Sequence, residues 1–329
     1  MIQATVRLGV CNGAIRSREQ IVPSPQLQTL LESLISSRAN PPTSRDEIIT
    51  AYRRETDDCW VIDGSAPTIA GSTTVESVSA AGVASEWVLA EAADPELRIM
   101  HLHGGGFMAG TLDRYRHVAE ALSRTSGMAV LAVNYRLAPE HPFPEGLDDC
   151  VSAWRWMHHN GLAGEAISKS VYLSGSSAGG HMALALMLRL RDEGHPLPKA
   201  AVAFSPGADF TGSAPSITER ADIDPCFSQT ELDLIAEVYV SDGTPLTHPY
   251  VSPFFGHYEG LPPFLIQTGE CEVLHDDGMR VVEKARKAGV DAHFKSLPGL
   301  IHCTENWCHA VPEGLALLQE AGDFLKHHL

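Results

Sequence analysis

The stretch Val171-Tyr172-Leu173-Ser174-Gly175-Ser176-Ser177-Ala178-Gly179-Gly180-His181 reads as a strand that turns straight into a helix over residues 181–192. Inside it, Gly175-x-Ser177-x-Gly179 has the spacing of a serine set on a sharp strand-to-helix turn. The requirement is steric. A side chain held on such a turn crowds its neighbours, so glycines are needed two positions before and two after it. The turn lifts the hydroxyl clear of the sheet and sets it at a helix N-terminus. A pentapeptide of this kind also occurs as a plain Gly/Ser-rich turn; the strand before it and the helix after it separate the two readings. Ser176 lacks the flanking glycines, which leaves Ser177 as the candidate nucleophile.

Outward from this turn the chain alternates strands and helices. Strands are predicted at 86–90, 99–102, 129–134, 170–174, 200–204, 264–268 and 293–297, with helices such as 181–192 and 279–288 between them. Several strands are near-continuous apolar runs, as expected where helices cover both faces of a sheet. The rhythm predicts an α/β fold with a mostly parallel sheet. Residues 1–70 read differently. Leu27, Leu30, Leu31, Leu34 and Ile35 share one helical face, and Ser44-x-x-Glu47 has capping-box spacing before Ile48, Ile49 and Tyr52. Neither helix is long enough to stand alone, so both are expected to pack over something. Residues 71–329 form the catalytic unit in this reading. Its stretch at about 209–242, with a helix at 231–239, is too long for an ordinary connection and reads as an insertion over the active-site edge.

The formal net charge of -17, with no basic run, makes nucleic acid and anionic membrane surfaces poor partners. No apolar run reaches membrane-spanning length, and Met1–Arg7 lacks the pattern of a signal peptide. The 7 cysteines are odd in number and scattered, which argues against a disulfide framework and for a reducing, cytoplasmic compartment.

A second glycine motif, His103-Gly104-Gly105-Gly106-Phe107, follows the strand at 99–102. Consecutive glycines let bare N–H groups approach a substrate oxygen, as acyl transfer needs for its tetrahedral oxyanion. A phosphate loop is disfavoured because no Gly-Lys-Ser/Thr follows. A serine hydroxyl needs a base, and Pro298-Gly299-Leu300-Ile301-His302 after the last strand supplies His302. His101 with His103, or His302-Cys303 with Cys308-His309, could be drawn as metal ligands. The glycine loop and the catalytic base account for them without a metal. The acid belongs after the strand at 264–268, where Glu272 lies in the loop. Asp276 and Asp277 fall in the next helix's first turn, where negative charge is favourable anyway. Cys303, next to the base, is expected to make activity sensitive to bulky thiol reagents.

These residues resemble the bacterial hormone-sensitive-lipase-like carboxylesterases, family IV of the α/β hydrolases. The likeness runs from about Val75 to the C-terminus. It rests on His103-Gly104-Gly105-Gly106-Phe107, Tyr135-Arg136-Leu137-Ala138-Pro139-Glu140-His141-Pro142-Phe143-Pro144, Gly175-x-Ser177-Ala178-Gly179-Gly180, and Ser252-Pro253 with Gly260-Leu261-Pro262-Pro263. The resemblance implies an α/β-hydrolase fold with a helical cap built from the N-terminal helices and the insertion. It implies Ser177 as nucleophile, His302 as base, and the N–H groups of Gly105, Gly106 and Ala178 as the oxyanion hole. The tract from Tyr135 to Pro144 would brace the active-site loops. Two departures stand out. Ser176 occupies a place commonly held by an acidic residue or threonine. Glu272-Val273-Leu274-His275-Asp276 stands where many members read Asp-Pro-Leu-x-Asp, which aligns Glu272 with the catalytic acid.

The expected activity is hydrolysis of short- to medium-chain carboxylic esters through an acyl-enzyme, with no metal or organic cofactor. The expected partner is a small-molecule ester, with no membrane insertion; the resemblance also implies a homodimer through an exposed sheet edge. A non-catalytic small-molecule receptor on the same fold is one alternative, separable by fluorophosphonate labelling. An acyltransferase or amidase using the same triad is another, separable by product analysis.

Overall fold

The computed structural model describes residues 23–37, 41–58, 62 and 66–329. Residues 1–22 of the N-terminal segment, Cys11 and Cys59 lie outside the described residues. Eight strands form one sheet: β1 (Thr74–Ala80), β2 (Val83–Leu89), β3 (Asp94–Leu102), β4 (Met128–Val133), β5 (Ser170–Ser176), β6 (Ala201–Phe204), β7 (Phe264–Gly269) and β8 (Ala292–Leu297). Their order across the sheet is β1-β2-β4-β3-β5-β6-β7-β8. β2 runs antiparallel to both of its neighbours, and every other pairing is parallel.

The inner strands are apolar without a break because each side chain has a layer to fill. In β4, Ala129, Leu131 and Val133 belong to one core cluster, and Val130 and Ala132 to the other. β6 repeats this, with Ala201 and Ala203 on one face and Val202 and Phe204 on the opposite one. The first face carries α4 (Glu145–Met157), α5 (Ala178–Asp192) and α8 (His275–Lys287); the second carries α3 (Leu112–Ser126) and α9 (Pro312–His327). α3 has clear end signals. The Thr111 side chain accepts from Arg114 N at its start, and Gly127 closes it at φ 72°.

β1 was not among the predicted strands. Its Thr-Val-Glu-Ser-Val-Ser-Ala sequence is mostly exposed, as an outer strand paired on one side only can be, so it carries no apolar run to find. The two N-terminal helices part company. α1 (Pro25–Ser37) buries Leu27 and Leu30 in the α3/α9 layer, and the Ser24 hydroxyl donates to Glu313 Oε2 at 2.8 Å, at the start of α9. α2 (Arg45–Asp58) crosses instead toward the C-terminal edge of the sheet, against α7 (Gln229–Tyr239). Ser44 caps α2 by accepting from Glu47 N, while Glu47 reaches back to Thr43 N and its hydroxyl.

The topology fixes where a site can form. From β3 the chain moves outward to β4, then crosses back to β5 on the other side of β3. Loops leaving β3 and β5 therefore diverge and open a crevice at the C-terminal strand ends, where open α/β sheets bind ligands. The His103–Gly106 loop follows β3, and Ser177 follows β5.

Candidate active site

Ser177 sits at φ 54°, ψ -117°, outside the regions a side chain ordinarily adopts. Such strain costs of order 1–3 kcal/mol and persists only where the surroundings over-determine it. Here Ser177 N donates to Phe204 O at 2.8 Å, and α5 begins at the next residue. The flanking glycines are compulsory for contact reasons. A Cβ on Gly175 would lie 2.2 Å from Gly179 O, and one on Gly179 would lie 1.9 Å from Leu102 O.

His302 stands over the elbow. The Ser177 hydroxyl donates to His302 Nε2 at 2.8 Å, and His302 Nδ1–H donates to Glu272 Oε2 at 2.9 Å. A carboxylate only accepts, so the Glu272 contact fixes the proton on Nδ1 and leaves the Nε2 lone pair facing the serine. Glu272 is itself held. Its Oε1 accepts from the Ser205 hydroxyl at 2.8 Å and from Gly269 N. The Ser205 hydroxyl in turn accepts from Cys303 N at 3.1 Å, joining the loops that carry Glu272 and His302. Asp276 does not reach the imidazole; it accepts from Ser216 N at 3.1 Å and contacts His275 Nδ1 at 2.9 Å. The structure thus brings together Ser177, His302 and Glu272 and leaves Asp276 outside the group.

Burial by itself would push His302 down, but the hydrogen bond and charge of Glu272, with Asp224 and Glu305 adding, more than offset it and leave its pKa raised. Asp224 is a contributor that no sequence signal marked. Burial pushes its carboxyl up to about 6, although Oδ1 accepts from Cys226 N and Phe227 N and Oδ2 from Val273 N at 2.7 Å. It ties the insertion to the Glu272 loop and sets the Phe227 ring edge-on to His302, 4.7 Å between centroids.

The glycine loop is built to leave amides free. Gly105 and Gly106 take φ values of 118° and 60°. A Cβ on Gly105 would lie 2.2 Å from Ala109 O, and one on Gly106 would lie 2.7 Å from the Tyr52 ring. No described residue accepts from the N–H groups of Gly105, Gly106 or Ala178. His103 serves the loop. Its Nδ1 donates to Gly104 O at 2.7 Å, its ring stacks on Tyr135 at 4.4 Å, and burial lowers its pKa to about 4, keeping it neutral. The Tyr135 hydroxyl donates to His103 O at 2.7 Å, and Ala138 N to Phe107 O at 2.9 Å, so the tract after β4 holds this loop from behind.

The insertion after Asp209 forms one wall. α6 (Ser216–Glu219) is pinned to the Glu272 loop through Ser216, whose hydroxyl donates to Val273 O at 2.6 Å, and through Arg220, which donates to Glu270 O. Tyr239 of α7 stacks on Phe107 at 3.9 Å. Tyr52 of α2, Phe210, Ile217, Phe227 and Leu274 line a cavity that opens at Ser177 and Ala178. No residue of α1 lines it.

Cys303 corrects an expectation. It follows His302, but it is 2% exposed and burial drives its thiol well above the usual range. Bulky maleimides are therefore expected to leave Cys303 unmodified in the folded enzyme, with modification confined to the partly exposed Cys226, Cys271 and Cys308 among the described thiols. Peptide mapping after labelling checks this.

A doubly covered, mostly parallel sheet with a strained serine, an imidazole and a carboxylate at its switch point defines an α/β hydrolase. Residues 99–306 match the family model described as an alpha/beta hydrolase fold. An acetyl-hydrolase of Streptomyces hygroscopicus is 40% identical over 243 residues, 74% of this chain and 79% of its own length. An esterase of Acinetobacter venetianus is 32% identical over 293 residues, 89% of this chain and 94% of its own. The crystal structure of an esterase from the bacterial hormone-sensitive lipase family superposes with a TM-score of 0.84 at 32% identity, covering 94% of this chain and 99% of that one. The chain belongs to this hormone-sensitive-lipase-like family of α/β hydrolases and is a carboxylic ester hydrolase. No helix among the described residues is long and apolar enough to cross a membrane.

Proposed function

We propose that Ser177 is the nucleophile, His302 its general base and Glu272 the triad acid of a two-step ester hydrolysis. The continuous hydrogen-bond relay of 2.8 and 2.9 Å through His302 carries this reading. Ser177 Oγ attacks the ester carbonyl as His302 Nε2 takes its proton. The tetrahedral oxyanion is received by the N–H groups of Gly105, Gly106 and Ala178, the last of these at the N-terminus of α5. Collapse breaks the C–O bond, and the alcohol leaves with the proton from His302. Water, activated by the same imidazole, then releases the acid from the acyl-enzyme. A fluorophosphonate should add to the Ser177 peptide alone. An adduct elsewhere, with Ser177 unmodified, would overturn the assignment.

The base works only when neutral, so activity should be low below the His302 pKa and rise through it. Because that pKa is raised, the acid limb of kcat/KM is expected above the ordinary imidazole range. A limb at or below that range would contradict the proposed charge environment.

α2 and the 209–242 insertion act as the cap, with Tyr52 set against the glycine loop at Gly106 and Phe227 edge-on to His302. Phe210, Ile217 and Leu274 bound the acyl space and favour short to medium chains. p-Nitrophenyl butyrate should therefore be turned over far faster than the palmitate. A cytoplasmic location fits the free thiols of Cys150, Cys303 and Cys308. A homodimer would form along β8, the strand that ends the sheet.

A further inference from the structure

The cavity beside Ser177 contains a polar feature that hydrolysis of a plain alkyl ester does not use. Ser177, Gly207, Leu274 and Asp277 line the same space. Gly207 is glycine for neither of the usual reasons. Its φ is not positive, and a Cβ there would meet only the Leu274 methyl groups, at 3.6 and 3.7 Å. What the missing side chain leaves is room. The next residue, Ala208, donates its N–H to Asp277 Oδ2 at 2.7 Å, and Asp209 N donates to the same oxygen at 3.0 Å.

The other oxygen, Oδ1, receives no hydrogen bond from any described residue, although Asp277 is only 1% exposed. Arg280 Nη1 stands 4.0 Å away, beyond hydrogen-bond reach, and donates instead to Asp209 Oδ2 at 3.0 Å. A buried carboxylate oxygen lacking a donor is unfavourable, and a native structure that keeps one invites a functional account. Burial has raised the Asp277 pKa to about 7, which a donor on a bound ligand would reverse. The residues lining the cavity include three aspartates, Asp209, Asp233 and Asp277, and no Lys or Arg.

We propose that this recess is a subsite for esters whose acyl or alcohol part carries a hydrogen-bond donor, a hydroxyl or an ammonium, accepted by Asp277 Oδ1. The proposal rests on Ser177 being the nucleophile, because only then does the recess sort substrates. Because Arg280 is already engaged by Asp209 and no Lys or Arg lines the cavity, an ester bearing a free carboxylate finds no cation free to receive it there.

The test compares donors with isosteres that lack one. On the alcohol side, butanediol monoacetate is set against its methyl ether; on the acyl side, ethyl ω-hydroxyhexanoate is set against ethyl ω-methoxyhexanoate. Acid release gives kcat/KM. A site built to accept a donor should favour the hydroxyl compound by about tenfold or more on at least one side. Equal rates on both sides overturn the proposal. In Asp277→Asn the amide oxygen should face the two backbone N–H groups and its NH2 should take the open position. The hydroxyl preference should then collapse to about one or reverse; an unchanged preference overturns the assignment of Oδ1. The wild-type ratios decide the matter even if that variant folds poorly. Gly207→Val should slow the functionalised esters more than ethyl acetate. Absence of turnover of every ester by the wild-type enzyme, ethyl acetate included, would instead strike the hydrolysis reading itself.

Discussion

Ser177→Ala is expected to lower kcat by about 10⁵ to 10⁶, the loss found when a serine nucleophile is removed from an established triad. The change should be nearly silent in the fold. The Ser177 side chain caps no backbone group of α5, so alanine forfeits no helix-end hydrogen bond. Its Cβ inherits the same φ of 54° that serine already tolerates. What remains is the backbone: the amides of Gly105, Gly106 and Ala178 still offer hydrogen bonds to an oxyanion, so a residual acceleration over water is expected. Purified variant, assayed on p-nitrophenyl butyrate beside a thermal melt, separates the two effects. A wild-type rate at an unchanged melting temperature would remove Ser177 from the reaction.

The parts of this site that were legible in the sequence are those imposed by backbone sterics. Gly175 and Gly179 could be read because any Cβ there collides with carbonyl oxygens. The Gly105-Gly106 pair could be read because consecutive positive φ values leave little else. His302 followed from its loop position after the last strand, and Glu272 from its register against Asp276. The supporting contacts were not legible, since they join residues far apart in the chain. Ser205 reaches Glu272 and Cys303 across separations of 67 and 98 residues. Asp224 holds Val273 N, 49 residues away. Neither has a local spacing that distinguishes it from any other buried polar residue. The same limit explains Cys303. Adjacency to His302 suggested access, whereas packing that leaves Cys303 2% exposed removes it. Periodicity likewise marked α1 and α2 as amphipathic without revealing that α1 docks on α3 and α9 while α2 carries Tyr52 to the cavity.

Glu272→Gln should cost about 10⁴ in kcat, and the reason lies in which oxygen does what. Oε1 takes the Ser205 hydroxyl and Gly269 N, both donors, so in the variant the amide oxygen is held on that side. The amide NH2 is then turned toward His302 Nδ1, the position Oε2 occupies at 2.9 Å in the native enzyme. Two donors cannot face each other. The imidazole must move its proton to Nε2, and in that tautomer it cannot accept from Ser177. Loss of the negative charge also lowers the His302 pKa, so the remaining activity should show its acid limb at lower pH than wild type. Glu272→Asp keeps the charge but shortens the reach by one methylene, so it should lose less, about 10- to 100-fold. Asp276→Asn supplies the control. That carboxylate serves Ser216 N and His275, so its loss should lower stability by about 1 kcal/mol while leaving kcat and the pH limb nearly unchanged. If Asp276→Asn instead shifted the limb and abolished turnover while Glu272→Gln did neither, the acid would be the later aspartate, and the relay would have to rearrange before it could act.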